Sequence, residues 1–144
     1  MSKVHPMRRK SVKPSSSTVR GMLPVAQHRS LEAATQSLRA AGLQFDWQWR
    51  NKSVGWVCAG LADTRVVVEL LPIEEPVLGL LIISVAEVAS LKDSESFPKA
   101  YKKVLDFPVD DRGDQSVFEF ELMTTPERDL FSNFVEKALE ELGL

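Results

Sequence analysis

The strongest constraint on the fold is residues 45–87, where large apolar side chains recur with the period of β-strands. The first six residues alternate between aromatic and polar side chains: Phe45, Asp46, Trp47, Gln48, Trp49 and Arg50. This alternation is typical of a strand with one buried face. Three more β-prone runs follow at residues 54–59, 65–71 and 78–86. The short connections between them predict an antiparallel meander.

Helical periodicity is found in three further segments: residues 31–41, 96–105 and 126–142. Ser30 and Thr125 are the expected N-caps of the first and the last of these helices. Residues 117–122 alternate between apolar and acidic side chains, which predicts one more strand. We therefore predict an α+β fold, in which an antiparallel four- to five-stranded sheet packs against an N-terminal and a long C-terminal helix. Residues 30–144 are expected to form this single domain.

Charge is distributed unevenly along the chain. Residues 1–30 contain seven basic and no acidic residues, which gives +7, whereas the remaining 11 basic and 20 acidic residues give −9. Residues 1–29 also contain three prolines, a serine-rich run and few large apolar side chains. Such a segment buries too little surface to offset its ordering entropy, so we predict a disordered basic arm.

The arm has three alternative interpretations. It is a plain solvated tail, an electrostatic contact for nucleic acid or another polyanion, or an organellar targeting peptide. The cations expected to make a polyanion contact are Arg8, Arg9, Lys10, Lys13 and Arg20. A secretory signal is not expected, because no apolar run follows the basic residues.

Several chemistries lack the residues that they need. Both histidines, His5 and His28, lie in the arm, so the predicted domain has no histidine for a catalytic triad or a zinc site. The single cysteine, Cys58, lies inside a predicted strand, where a buried inert thiol is expected. No phosphate-binding glycine loop or metalloprotease motif occurs. We therefore predict no catalytic residue, no cofactor and no metal site.

Acidic residues provide the remaining candidates. A calcium site at residues 109–115 is disfavoured because Arg112 occupies a ligand position, so this segment is predicted to be a turn. An enzyme that works through Asp46, Glu69 or Glu119 would need a pocket in which such acids converge. We treat this as the third hypothesis for the function.

The two faces of the predicted sheet have different expected roles. The row of Phe45, Trp47 and Trp49 could stack nucleic-acid bases. However, the two amphipathic helices need an apolar sheet face to pack on, so we expect these three side chains to form a core layer beneath the helices. The opposite face is the candidate partner surface, and it carries Asp46, Gln48, Arg50 and Glu69.

The order of elements resembles that of type III secretion chaperone-like domains, including the YbjN type of bacterial sensory-regulator proteins. The matching stretches are residues 30–46, the meander to residue 86, and residues 117–142. The resemblance implies a protein that binds protein segments along its sheet or helix faces and commonly forms a homodimer. It implies no catalytic residues.

These observations favour a non-enzymatic protein-binding module, a chaperone-like or regulatory adaptor in the cytoplasm. The alternative is a nucleic-acid-associated accessory protein that uses the basic arm. A single cysteine suits a reducing compartment. No membrane interaction is expected, because the chain has no run of about 18 apolar residues.

Overall fold

The computed structural model describes residues 5–52 and 55–144, with the side chains of all of these except residues 111 and 112. Two short 3-10 turns, Pro6–Arg8 and Val19–Gly21, come first. The helices that follow are α1 (Val25–Ala40), α2 (Val85–Asp93), α3 (Lys99–Val104) and α4 (Thr125–Leu142). The strands are β1 (Gln44–Arg50), β2 (Gly55–Ala62), β3 (Arg65–Leu71), β4 (Leu78–Ser84), β5 (Asp110–Arg112) and β6 (Gln115–Glu121).

The strands form one antiparallel sheet in the order β1-β2-β3-β4-β6-β5. The predicted α+β class is confirmed, with α1 and the long α4 packed against the sheet. Five strands match the predicted ones, and β5 is an additional strand of three residues. It lies within the segment predicted to be a turn, where the turn itself is confined to the residues around Gly113, whose φ is +71°.

The main core lies between one face of the sheet and the helices. The predicted aromatic row of Phe45, Trp47 and Trp49 packs against this core, as expected. Gly79 in β4 allows α4 to approach closely, because a Cβ there would lie 2.8 Å from the ring of Phe131. The largest fully buried side chains are the four phenylalanines Phe97, Phe118, Phe131 and Phe134.

Helix α2 was absent from the sequence prediction, which extended the preceding strand to residue 86. The strand ends at Ser84, whose hydroxyl accepts a hydrogen bond from the Glu87 backbone N–H at 3.1 Å. The Glu87 carboxylate accepts one from the Ser84 backbone N–H at 2.8 Å. This reciprocal capping box begins a helix although Val85 and Ala86 continue the apolar run.

Replacing Glu87 by glutamine should lower the free energy of unfolding at neutral pH and make that free energy less dependent on pH in the acidic range. Hydrogen bonds from Arg65 lower the pKa of Glu87 from its ordinary value of 4.5 to about 2. The resulting stabilisation is complete above about pH 4.5 and is lost as the pH falls towards 2. Because both side chains are partly exposed, we expect a loss of about 1 kcal/mol at pH 7. Urea denaturation at several pH values measures it. Glu95→Gln is the control because Glu95 is exposed, and equal pH curves for both variants would contradict the prediction.

The N-terminal segment, residues 5–24, differs from the predicted disordered arm. Met7 has 0% of its surface exposed, and Val19 and Leu23 are also buried in the main core. These three residues have no regular spacing, so the sequence pattern gave no sign of their burial. Helix α1 begins at Val25 rather than after the predicted cap Ser30, which is a buried residue inside the helix.

The sheet curls strongly away from the helices. β1 and β5 are its outer strands, and five inter-strand steps of about 4.8 Å would place them about 24 Å apart in a flat sheet. Yet Lys52, just after β1, lies with its Nζ 3.4 Å from the Asp110 carboxylate in β5. The second face is therefore concave, which explains why Leu80, Ile82 and Val117 form a second buried cluster there.

In the described residues, every helix is too short or too polar to cross a membrane.

Candidate functional site

A groove lies between the N-terminal segment and helix α1. It consists of two adjoining cavities of about 390 Å³ and 310 Å³, which share Arg20, His28 and Glu32 as lining residues. The larger cavity extends inward to Trp47 and Cys58 on the helix-covered face of the sheet. We call this feature the α1 groove.

Helix α1 provides one wall of the groove along most of its length. Apart from Leu31, which also packs into the core, the lining residues of this helix recur every three or four positions: Val25, His28, Arg29, Glu32, Thr35, Gln36 and Arg39. This spacing places them on one stripe of the helix, beside the stripe that packs into the core. At 1.5 Å per residue, the stripe from Val25 to Arg39 is about 21 Å long.

The N-terminal segment provides the opposite wall. It is fixed by the burial of Met7 and Val19 and by a hydrogen bond of 2.9 Å from the Trp56 indole N–H to the Arg9 carbonyl. Lys13 forms an ion pair with Asp46 of β1 at 3.5 Å. These contacts hold Arg20 at the groove, where both cavities meet.

The groove carries more positive than negative charge. Arg20, Arg29 and Arg39 form no ion pair within the described part of the chain. The Arg39 guanidinium lies 5.6 Å from the centre of the Phe45 ring, a cation–π contact that restrains it. Glu32 is the one acid among the described lining residues, and its carboxylate is 3.7 Å from the Nδ1 atom of His28. The arrangement therefore favours an anionic ligand.

The inner end of the groove offers a further hydrogen-bond donor, the indole N–H of Trp47, but the Cys58 thiol there is not reactive. The indole N–H groups of Trp49 and Trp56 bond to Asn51 and to the Arg9 carbonyl. Trp47 makes no such hydrogen bond to the described residues, and its N–H is not fully buried. Burial raises the pKa of the Cys58 thiol to about 12, so the thiol is protonated at neutral pH.

The predicted polyanion contacts are only partly brought together. Arg20 lines the α1 groove, whereas Arg8 is half-buried beside Trp56. Arg9 and Lys10 are exposed outside the groove, and Lys13 is paired with Asp46. These cations therefore do not form one continuous basic surface.

The predicted partner surface is largely an internal network. Arg50 donates a hydrogen bond of 2.6 Å to the Glu69 carboxylate and one of 2.8 Å to the Gln48 side-chain oxygen. Glu69 is only 3% exposed, because the curled sheet encloses it on the concave face. Asp46 remains exposed, beside Lys13. The expectation that Glu69 would lie on an open surface was wrong for this reason.

The acids considered for catalysis do not converge in the groove. The strand register places Asp46, Glu69 and Glu119 in one row, with Ala59 and Leu80 between them. Asp46 is paired with Lys13, Glu69 is paired with Arg50, and Glu119 is exposed, so the three acids have different surroundings. None of the three lines the α1 groove. Among the described residues, no three of the metal-ligating type cluster together.

Sequence reasoning missed the residues of α1 that form the groove. Arg29 and His28 were assigned to the arm because the predicted helix began too late. The signal was present, since polar residues at positions 28, 32, 35 and 39 continue the spacing of a helix face. What the sequence does not show is that the N-terminal segment folds back alongside this face.

Comparison of the chain with protein-family models, with curated proteins and with solved structures finds no match in any of the three.

Proposed function

We propose that the protein is a non-enzymatic protein-binding module whose α1 groove binds an extended acidic segment of a partner protein. The observation that carries this proposal is the set of three arginines along the groove, Arg20, Arg29 and Arg39, without a carboxylate partner in the described chain. Carboxylates are the natural ligands of such guanidinium groups, which bind them through paired hydrogen bonds. As part of the proposal, the module is a chaperone-like or regulatory adaptor in the cytoplasm.

The dimensions of the groove suit a peptide. An extended chain advances about 3.4 Å per residue, so a groove of about 21 Å accommodates about six residues. The inner cavity adds Trp47, whose ring offers apolar area and whose N–H is an available donor. The side chains of Thr35 and Gln36 add polar groups along the same wall.

A protein segment fits the groove better than nucleic acid does. A phosphate backbone requires a run of unpaired cations, but Lys13 is already paired and Arg8 is half-buried. Glu32 lies within the groove itself, where a nucleic acid must place a phosphate charge but a peptide can place a neutral residue. The exposed Arg9 and Lys10 are the remaining basis for the nucleic-acid alternative, which the experiment below distinguishes.

The double variant Arg20→Gln/Arg39→Gln should bind a fluorescein-labelled hexaglutamate peptide at least tenfold more weakly than the unmodified protein. Each charge-assisted hydrogen bond contributes about 1.5–3 kcal/mol, and about 1.4 kcal/mol corresponds to a factor of ten. Fluorescence anisotropy at low salt measures the affinity, with hexalysine as the negative peptide.

The matched control is Arg9→Gln/Lys10→Gln, which removes the same charge outside the groove and should change the affinity less than about twofold. Absence of hexaglutamate binding, or equal losses in the two double variants, would overturn the proposal. A single-stranded oligonucleotide that binds more tightly than the peptide, and that depends on Arg9 and Lys10, would instead favour the nucleic-acid function.

A further inference from the structure

We infer that the α1 groove recognises the spacing of two acidic residues in its partner, which lie four positions apart with no acid between them. This inference rests on the proposed function and specifies its partner. It follows from the order of charges along helix α1, which is positive at Arg29, negative at Glu32 and positive at Arg39.

The two arginines set the distance. Arg29 and Arg39 are separated by ten helical residues, or about 15 Å along the axis. An extended peptide covers this distance in four to five residues. Because side chains alternate between the two sides of an extended chain, only an even spacing places both acids towards α1. Four positions is therefore the spacing that satisfies both the distance and the direction.

Glu32 is the reason that no further acidic residue should lie between the two acids of the partner. It lies one helical turn from Arg29, on the same stripe, and its neighbour His28 is 3.7 Å away. An acidic residue of the partner at this point is repelled by the Glu32 carboxylate. A neutral polar residue or a backbone amide can instead donate to the Glu32 carboxylate. Arg20, from the opposite wall, can donate to a peptide carbonyl in the same region.

Two labelled peptides of equal composition and charge test the spacing. We expect Glu-Ser-Ser-Ser-Glu-Ser to bind at least about fivefold more tightly than Ser-Ser-Glu-Glu-Ser-Ser, measured by anisotropy at pH 8. Arg29→Gln should reduce this preference to less than about twofold, because one of the two contact points is then lost. Arg29 is exposed, so the variant should keep its fold, as circular dichroism would verify.

A third peptide tests the role of Glu32. Glu32→Gln should raise the affinity for hexaglutamate at least about threefold and should not raise the affinity for the spaced peptide, which places no acid beside Glu32. If neither two-acid peptide nor hexaglutamate binds, the proposed function and this inference both fail. If hexaglutamate binds but the two equal-charge peptides bind alike, or Glu32→Gln affects all peptides equally, only the spacing inference is overturned.

Discussion

Gly79→Ala is expected to lower the free energy of unfolding by about 2 kcal/mol, the usual range for forcing an extra methyl group into a packed core being about 1–3 kcal/mol. The new Cβ would lie 2.8 Å from two ring carbons of Phe131 and 3.0 Å from a methyl carbon of Leu122. Both side chains are fully buried, and the Phe131 ring is held by Phe120, with 5.1 Å between the ring centres. The ring therefore has little freedom to move away.

The matched control for this substitution is Gly21→Ala. Gly21 has no heavy atom within 4 Å of the added Cβ, and its backbone is not in the left-handed region. The free energy of unfolding of Gly21→Ala should differ from that of the unmodified protein by no more than about 0.5 kcal/mol. Both values come from chemical denaturation followed by circular dichroism. If the two alanine variants unfold at the same denaturant concentration, α4 does not pack on β4 at the distance described.

The elements that the sequence predicts well are those with a strong period and clear ends. Helix α4 begins within one residue of the predicted start because a capping Thr-Thr-Pro-Glu pattern precedes a regular apolar stripe, although its N-cap is Thr124 rather than the predicted Thr125. The strand β1 was equally clear, since aromatic and polar residues alternate through six positions. In both cases the local pattern and the tertiary packing require the same conformation.

The elements that were missed depend on contacts between distant residues. The burial of Met7 requires a site between strands and helices that no local pattern describes. Val85 and Ala86 continue a β-prone run, and only the side-chain contacts of Ser84 and Glu87 convert it into a helix. The curl of the sheet, which encloses Glu69, has no signal in the alternation of β3, because alternation shows which side a residue faces and not how that side is covered.

The candidate groove could be predicted only in part for the same reason. The stripe of polar residues on α1 is visible in the sequence, and so is the excess of positive charge near the N-terminus. Their combination into a groove depends on residues 5–24 folding back to lie beside α1 and β1. The ion pair between Lys13 and Asp46 joins residues 33 positions apart, a pairing for which charge alone offers many alternatives.

Arg50→Met is expected to lower the free energy of unfolding by about 3 kcal/mol, because breaking a buried ion pair from one side costs about 3–5 kcal/mol and Arg50 is not fully buried. The Glu69 carboxylate is 3% exposed and accepts the Arg50 hydrogen bond at 2.6 Å. Without the guanidinium, the enclosed carboxylate loses a charge-assisted partner that water cannot readily replace.

The double variant Arg50→Met/Glu69→Met should be less destabilised than Arg50→Met alone, since neither charge of this ion pair then remains. Lys13→Met is the control, because it breaks an ion pair whose two side chains are more than half exposed, and it should cost less than about 1 kcal/mol. Urea denaturation of the four proteins, the unmodified chain and these three variants, measures the differences. A double variant less stable than Arg50→Met, or an Arg50→Met loss no larger than that of Lys13→Met, would show that the concave face does not enclose Glu69.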